Sequence, residues 1–196
     1  MATTTEMIKE LREATGAGVL DCKKALDKTG GDMAKAQEIL REKGLVQAAK
    51  KAERKAEEGR VEAYIHAGSK LGVLIEINCE TDFVARTDEF KALCHDLAMQ
   101  VAAASPKWVS RETIPADVIE AETKAWREEL VAEKKPEAMF DRILEGKLAK
   151  FCQENCLLDQ AFIRDEEKTI RQLVTEMIAK TGENIIVKRF TRYAIE

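Results

Sequence analysis

Covalent chemistry in this chain would have to come from five cysteines and two histidines. A thiolate beside an imidazole makes a nucleophile, and closely spaced thiols hold a metal. His95 adjoins Cys94, but neighbouring helical positions point about 100 degrees apart and do not face one another. Cys94 also falls on an apolar stripe, where a buried, inert thiol is the expectation. A Cys79–His95 pair through space stays open as an alternative. Cys152 and Cys156 stand four apart and could supply two metal ligands, but no CxxC or HxxxH spacing supplies the rest. The glycine-rich "TGAG" and "TGGD" lack both the Gly-Lys-Ser/Thr of a phosphate loop and the GxGxxG of a dinucleotide site, and read as turns. No catalytic constellation emerges and no cofactor is implied. The protein is expected to act by binding.

The stretch that singles itself out for binding is "EINCETDFVAR", Glu76 to Arg86. An apolar alternation through Ile75, Ile77 and Cys79 stops abruptly, and Asp82 and Phe83 follow side by side. Two readings are open. Phe83 tucks under the next helix while Asp82 turns or caps the chain, or the pair is offered to a partner.

The elements around this pair set its frame. Residues 1 to 44 read as three short helices separated by glycines, with Thr3 and Glu6 at capping-box spacing. Met7, Ile8 and Leu11 share one face, Val19, Cys22 and Leu26 the next, and Ala36, Ile39 and Leu40 the third, which Asp32 can cap and Gly44 ends. The following "LVQAAKKAERKAEEGR" reads as a stiff helical tether with a solvated charged face. The period then falls to two. "RVEAYIH" alternates through Val61, Ala63 and Ile65, and "LGVLIEINC" through Leu71 to Cys79, which predicts a hairpin with one buried face. An amphipathic helix from Phe90 to Val101 stops near Pro106. Pro115 and Pro136 open two more helices, Gly146 separates the second from one carrying Leu148, Phe151 and Cys152, and a last helix closes at Gly182. The β-branched "ENIIVKRFTRYAI" can complete the hairpin's sheet. The fold class is α+β: three N-terminal helices, then an antiparallel sheet packed with helices.

Charged residues at 35 per cent against 5 per cent aromatics fit a helix-rich protein. A net charge of −4 argues against a general nucleic-acid binder, which needs a basic surface. No run of about eighteen apolar residues could span a membrane, and "MATTTEMIKE" lacks the apolar centre of a signal peptide. The odd cysteine count suits a reducing compartment, so a cytoplasmic protein is expected.

Two long motifs, "LREATGAGVLDCKKAL" (Leu11 to Leu26) and "EINCETDFVAR", closely resemble the signatures of the bacterial elongation factor Ts family. "TGENIIVKRF" (Thr181 to Phe190) is similar to that family's core ending. The resemblance implies a guanine-nucleotide exchange factor for elongation factor Tu, with a ubiquitin-associated-like module and linker at residues 1 to 54 and an α+β core at 55 to 196. It implies that the N-terminal module docks on the partner's GTPase domain. It further implies that Thr81, Asp82, Phe83 and Val84 intrude beside the nucleotide and disturb its magnesium ion. Candidate docking residues are Arg12, Val19, Leu20 and Lys23; Leu11 fits either this surface or the module's core. With one core ending and one such motif, the chain resembles the short members of the family, which implies a homodimer. Residues between Pro106 and Glu167, Trp108 and Trp126 included, are expected to serve it. Readings from other classes are an adaptor whose helical module binds a helix or ubiquitin-like partner, and a thiol enzyme using Cys79 or Cys94.

Overall fold

The computed structural model describes residues 3–195; Met1, Ala2 and Glu196, the outer ends of the two expected segments, lie outside them. Helix α1 (Thr5–Thr15) starts where Thr4, in extended conformation, accepts the Met7 N–H on its hydroxyl at 3.2 Å. This corrects the capping-box expectation by one residue, because the Thr3 hydroxyl is engaged elsewhere, donating to Asp27 at 2.6 Å. Helices α2 (Val19–Thr29) and α3 (Met33–Lys51) follow, the latter capped by Asp32 as its sequence predicts. Leu11, Cys22, Ala25, Leu26, Ala36 and Leu40 make a core within the three helices. Leu11 is therefore a core residue. Val19 leaves the expected inward stripe and lies exposed.

Helix α3 does not end at Gly44. It continues to Lys51 and absorbs the first half of the tether, while the residues beyond it leave the helix. A glycine inside a helix costs about 1 kcal/mol relative to alanine. Here it allows close approach to helix α8: a Cβ at Gly44 would lie 3.7 Å from the Ala179 Cβ and 3.8 Å from the Thr175 methyl. The Lys51 ammonium reaches the Ile178 carbonyl at 3.4 Å, and Gly16, which ends α1 at φ 67, faces the Lys180 side chain. Helix α3 and the end of α1 thus rest on α8.

Strands β1 (Glu58–Ile65) and β2 (Leu71–Cys79) form the expected hairpin, turning through Gly68 and Ser69, both at positive φ. Helix α4 (Asp82–Ala85) and helix α5 (Asp88–Ala104) come next, then α6 (Ala116–Ala132) and α7 (Phe140–Asn155). Helix α7 passes through Gly146 without a break, where two helices were expected. A short antiparallel pair, β3 (Ala161–Phe162) and β4 (Asp165–Thr169), precedes α8 (Ile170–Thr181) and β5 (Ile186–Ala194). The main antiparallel sheet has the order β1-β2-β5, so the last strand completes it as its sequence predicts.

The face of β1 is reversed from expectation. Val61 and Ile65 are 65 and 63 per cent exposed, while Glu62 and Tyr64 are half-buried. Glu62 turns inward because it has partners there: the Arg60 guanidinium at 2.7 Å and the His95 ring at 3.5 Å. A paired carboxylate can take an inward place that an unpaired one could not.

Two compact units divide the chain. One gathers Met1–Glu62, Ile75–Asp96 and Arg171–Lys188; the other gathers Ala63–Leu74, Leu97–Ile170 and Arg189–Glu196. In the first, Ile75, Ile77, Cys79, Phe90, Leu93 and Cys94 are buried. In the second, Trp108 and Trp126 lie 5.8 and 6.0 Å from Phe151, ring centre to ring centre. Both indoles are half-buried there, which takes much of their surface out of the dimerisation role expected of them. Buried Gln100 donates to Gln160 and to the Ala161 carbonyl and accepts the Ile163 N–H, which fixes the β3-β4 pair.

Gly59, at φ +148, lies so close to β2 that a Cβ would stand 2.3 Å from the Ile77 carbonyl oxygen. Gly59→Ala is expected to lower the thermal midpoint, costing on the order of 1–3 kcal/mol. Gly68→Ala, also at positive φ but with open space around it, should cost less. Equal midpoints for the two variants in a melting experiment would contradict this close approach.

Candidate functional site

The stretch Thr81 to Arg86 is one turn of helix rather than an open loop. Thr81, extended at φ −130 and ψ 149, puts its hydroxyl on the Val84 N–H at 3.3 Å, and its carbonyl accepts from Ala85. Six residues on, Thr87 repeats the device, its hydroxyl accepting the Phe90 N–H at 3.3 Å as α5 begins. An aspartate follows each threonine, where a negative charge suits a helix N-terminus. Two short-range caps leave the backbone between them little freedom.

This turn sorts its side chains sharply. Phe83 is 81 per cent exposed and Val84 only 5 per cent. Of the two readings of Phe83, the tucked one is excluded in this structure. Val84 is the anchor and Phe83 the free ring. Asp82 is also exposed but engaged: the Arg86 guanidinium grips it with two contacts, Nε to Oδ1 at 3.1 Å and Nη2 to Oδ2 at 2.6 Å. Such an exposed i,i+4 pair is worth about 0.3–0.5 kcal/mol, so Asp82 can change partners at small cost.

The base of the turn is held from a distance. Glu183 accepts three hydrogen bonds: from the Glu80 N–H at 3.1 Å, the Thr81 N–H at 3.0 Å and the Thr81 hydroxyl at 2.6 Å. The Cys79 thiol donates to the Thr81 carbonyl at 3.2 Å. The next residue, Asn184, is buried; its N–H donates to the Glu80 carboxylate at 2.6 Å and its side-chain amide to the carbonyls of Ala52 and Arg54. Arg54 adds a contact to the same Glu80 at 3.5 Å. Sequence reasoning missed Glu183, Asn184 and Arg86. The i,i+4 spacing of Asp82 and Arg86 was readable; a contact across 102 residues carries no local signature.

Among the N-terminal candidates, Leu20 is 71 and Val19 is 52 per cent exposed, and Arg12 and Lys23 are exposed as well. They sit on α1 and α2, in the same compact unit as the Thr81–Arg86 turn.

The thiols are placed for packing. All five cysteines are free and buried. Burial, and after it the negative charge of Glu183, pushes the Cys79 thiol up to about 11. Burial, then Glu62, pushes Cys94 up to about 12, and burial, then Cys152, pushes Cys156 up to about 12. A thiol that keeps its proton is a poor nucleophile, and the His95 ring meets Glu62. Cys152 and Cys156 belong to an apolar cluster with Ile114. Among the described residues no group of three or more His, Cys, Asp or Glu side chains could hold a metal, and no helix is long and apolar enough to cross a membrane.

What the surface offers is a bare aromatic ring and an exchangeable acid on a braced turn. The chain belongs to the elongation factor Ts family. The family model described as elongation factor TS matches residues 3–196. Among its relatives, "Elongation factor Ts" of an Anaeromyxobacter species is 56 per cent identical over 189 residues, covering 96 per cent of this chain and 86 per cent of the relative. The protein of that name from Heliobacterium modesticaldum is 56 per cent identical over 192 residues, covering 98 and 89 per cent.

The raised thiol values make a pH prediction. A proton held more tightly in the folded chain stabilises the fold fully below the ordinary thiol value of 9.0, and this contribution is lost as pH rises through 11 and 12. The thiols should accordingly react slowly with an aromatic disulfide reagent at pH 8 and rapidly once denaturant opens the core. Fast reaction of Cys79 or Cys94 in the native protein would contradict their placement.

Proposed function

We propose that this chain is the guanine-nucleotide exchange factor of elongation factor Tu and acts during translation elongation by presenting Phe83. The observation that carries this reading is an 81 per cent exposed phenylalanine on a helical turn that Thr81 caps at its start and the Thr87 hydroxyl closes by donating to the Val84 carbonyl. Exchange requires no nucleophile. It requires a surface that binds the nucleotide-free GTPase better than the nucleotide-bound one, and the coupling is reciprocal.

Phe83 enters a gap between partner helices that opens only in the shifted partner; burying the ring contributes roughly 1.5–3 kcal/mol there. Asp82 leaves Arg86 for a cationic group or helix N-terminus of the same shifted state. Thr81 and Val84 hold the turn. Movement of the partner's elements disturbs the coordination of magnesium, which bridges phosphate oxygens and protein ligands, and nucleotide affinity falls.

In this proposal residues 1 to 54 form a ubiquitin-associated-like module and its linker, which dock on the GTPase domain through Arg12, Val19, Leu20 and Lys23. Residues 55 to 196 carry the exchange turn and grip the rest of the partner. The protein works in the cytoplasm as a homodimer. A second copy is supported by the open groove that Ile65, Leu74, Tyr193 and Ile195 line, since exposed apolar surface of this kind favours association.

The decisive measurement is release of fluorescent GDP from elongation factor Tu. Phe83→Ala should lower the maximal release rate by about 10–100-fold, the equivalent of losing most of the ring's burial, without lowering the thermal midpoint. Leu20→Ala should instead raise the factor concentration needed for half-maximal release. Wild-type release by the Phe83 variant would defeat the reading. Light scattering should give twice the chain mass; the mass of one chain would remove the homodimer.

A further inference from the structure

Among the described residues, each hydrogen-bond donor that the Glu183 carboxylate meets belongs to the residue that caps the Phe83 turn or to the one before it. A carboxylate is acceptor-only, so the Thr81 hydroxyl must point its proton at Glu183. The lone pairs of that oxygen are then left facing the Val84 N–H, where the cap forms at 3.3 Å. In this way a residue after α8 chooses the rotor of a threonine after β2 and turns it into a cap. The same carboxylate takes the N–H groups of Glu80 and Thr81 on one oxygen, closing the strand end where the chain leaves β2. Charge-assisted bonds of this type are about twice as strong as neutral ones.

We propose that Glu183 is a positioning residue for nucleotide exchange: it orients Thr81 and thereby fixes the angle at which Phe83 is presented. The assignment rests on the reading of Phe83 given above. Glu183 does not touch the partner or the nucleotide in this role. It acts through Thr81 by keeping the four-residue helix α4 from fraying, which an isolated turn of that length would otherwise do. Misplacement of a reacting or wedging group by about 1 Å is enough to lose about 100-fold in rate, so a loosened cap is a kinetic defect before it is a stability defect. Asn184, by tying the carbonyls of Ala52 and Arg54 to the same segment, gives the chain leaving α3 a common footing with this turn.

The test compares full-length Glu183→Ala, Glu183→Gln and Phe83→Ala proteins in GDP release from elongation factor Tu, with amide hydrogen exchange on each. Glutamine can put its oxygen where the two backbone N–H groups converge and donate its amide to the Thr81 hydroxyl, which still accepts from Val84. Glu183→Ala should lower the maximal release rate about tenfold or more while the half-saturating factor concentration moves less than about twofold. The Val84 and Ala85 amides should exchange faster in it. Glu183→Gln should recover most of the rate and of the protection.

Unchanged maximal release by Glu183→Ala, with Phe83→Ala impaired, would overturn the assignment and leave the Phe83 reading standing. An increase in half-saturating concentration alone would overturn it too, making Glu183 a docking residue. Equal loss in the alanine and glutamine variants would overturn it as well, since the charge and not the orientation of Thr81 would then be what exchange needs. If Phe83→Ala releases GDP at the wild-type rate, the Phe83 reading falls and this assignment falls with it.

Discussion

The contact on which the exposed turn depends is the one between Thr81 and Glu183, residues 102 positions apart. An aromatic ring left in water has no packing of its own to fix it. Its direction has to be imposed by the backbone beneath it, and four helical residues cannot hold themselves. The structure supplies constraints from four sides: Glu183 on the amide and hydroxyl of Thr81, Cys79 on its carbonyl, buried Val84 below, and the Thr87 cap beyond. Loop-closure entropy for so long a separation is met once, in folding the unit, and not again at each encounter with a partner.

That economy extends to the N-terminal helices. They have their own small core, yet they also lie on α8 through Gly44, Gly16 and Lys51. Lys180 of α8 reaches Glu89 at the start of α5, at 3.3 Å. Helix α8 therefore touches α3, the end of α1 and the start of the helix after the Phe83 turn. A point substitution on the exposed face of α2 is accordingly a cleaner probe than removal of the whole segment, which would uncover α8.

Much of this was legible in the chain because its signals were local. The bounds of β2 follow from strict alternation, the cap of α3 from Asp32, and the start of α6 from Pro115. Phe83 stood out because an apolar residue broke the pattern next to an acid. What escaped was decided by partners distant in sequence. Val61 and Ile65 look like a buried face until Glu62 is known to have Arg60 and His95 to meet. Gly44 and Gly146 look like stops until α8 is seen against the first and an unbroken α7 around the second. The β3-β4 pair was invisible because "DEEKT" has no strand composition; its order comes from Gln100. Glu183 was quoted only as part of a family ending, and nothing near it reveals Thr81.

The energetics of the proposed role also constrain how the parts must share it. Accelerating release by about 10⁴-fold needs about 5.5 kcal/mol of differential stabilisation, and the Phe83 ring provides roughly 1.5–3 kcal/mol of that. Asp82 finding a new cation adds little to this, because an exposed charge pair of this kind is worth only about 0.3–0.5 kcal/mol. In the proposed role the rest comes from what the nucleotide loses when its magnesium is displaced, a term that belongs to the partner. The factor's share is then to make the shifted state accessible and no more. A ring held in the open at a fixed angle suits that task better than a large sticky surface, since uniform affinity for both states of the partner would shift nothing.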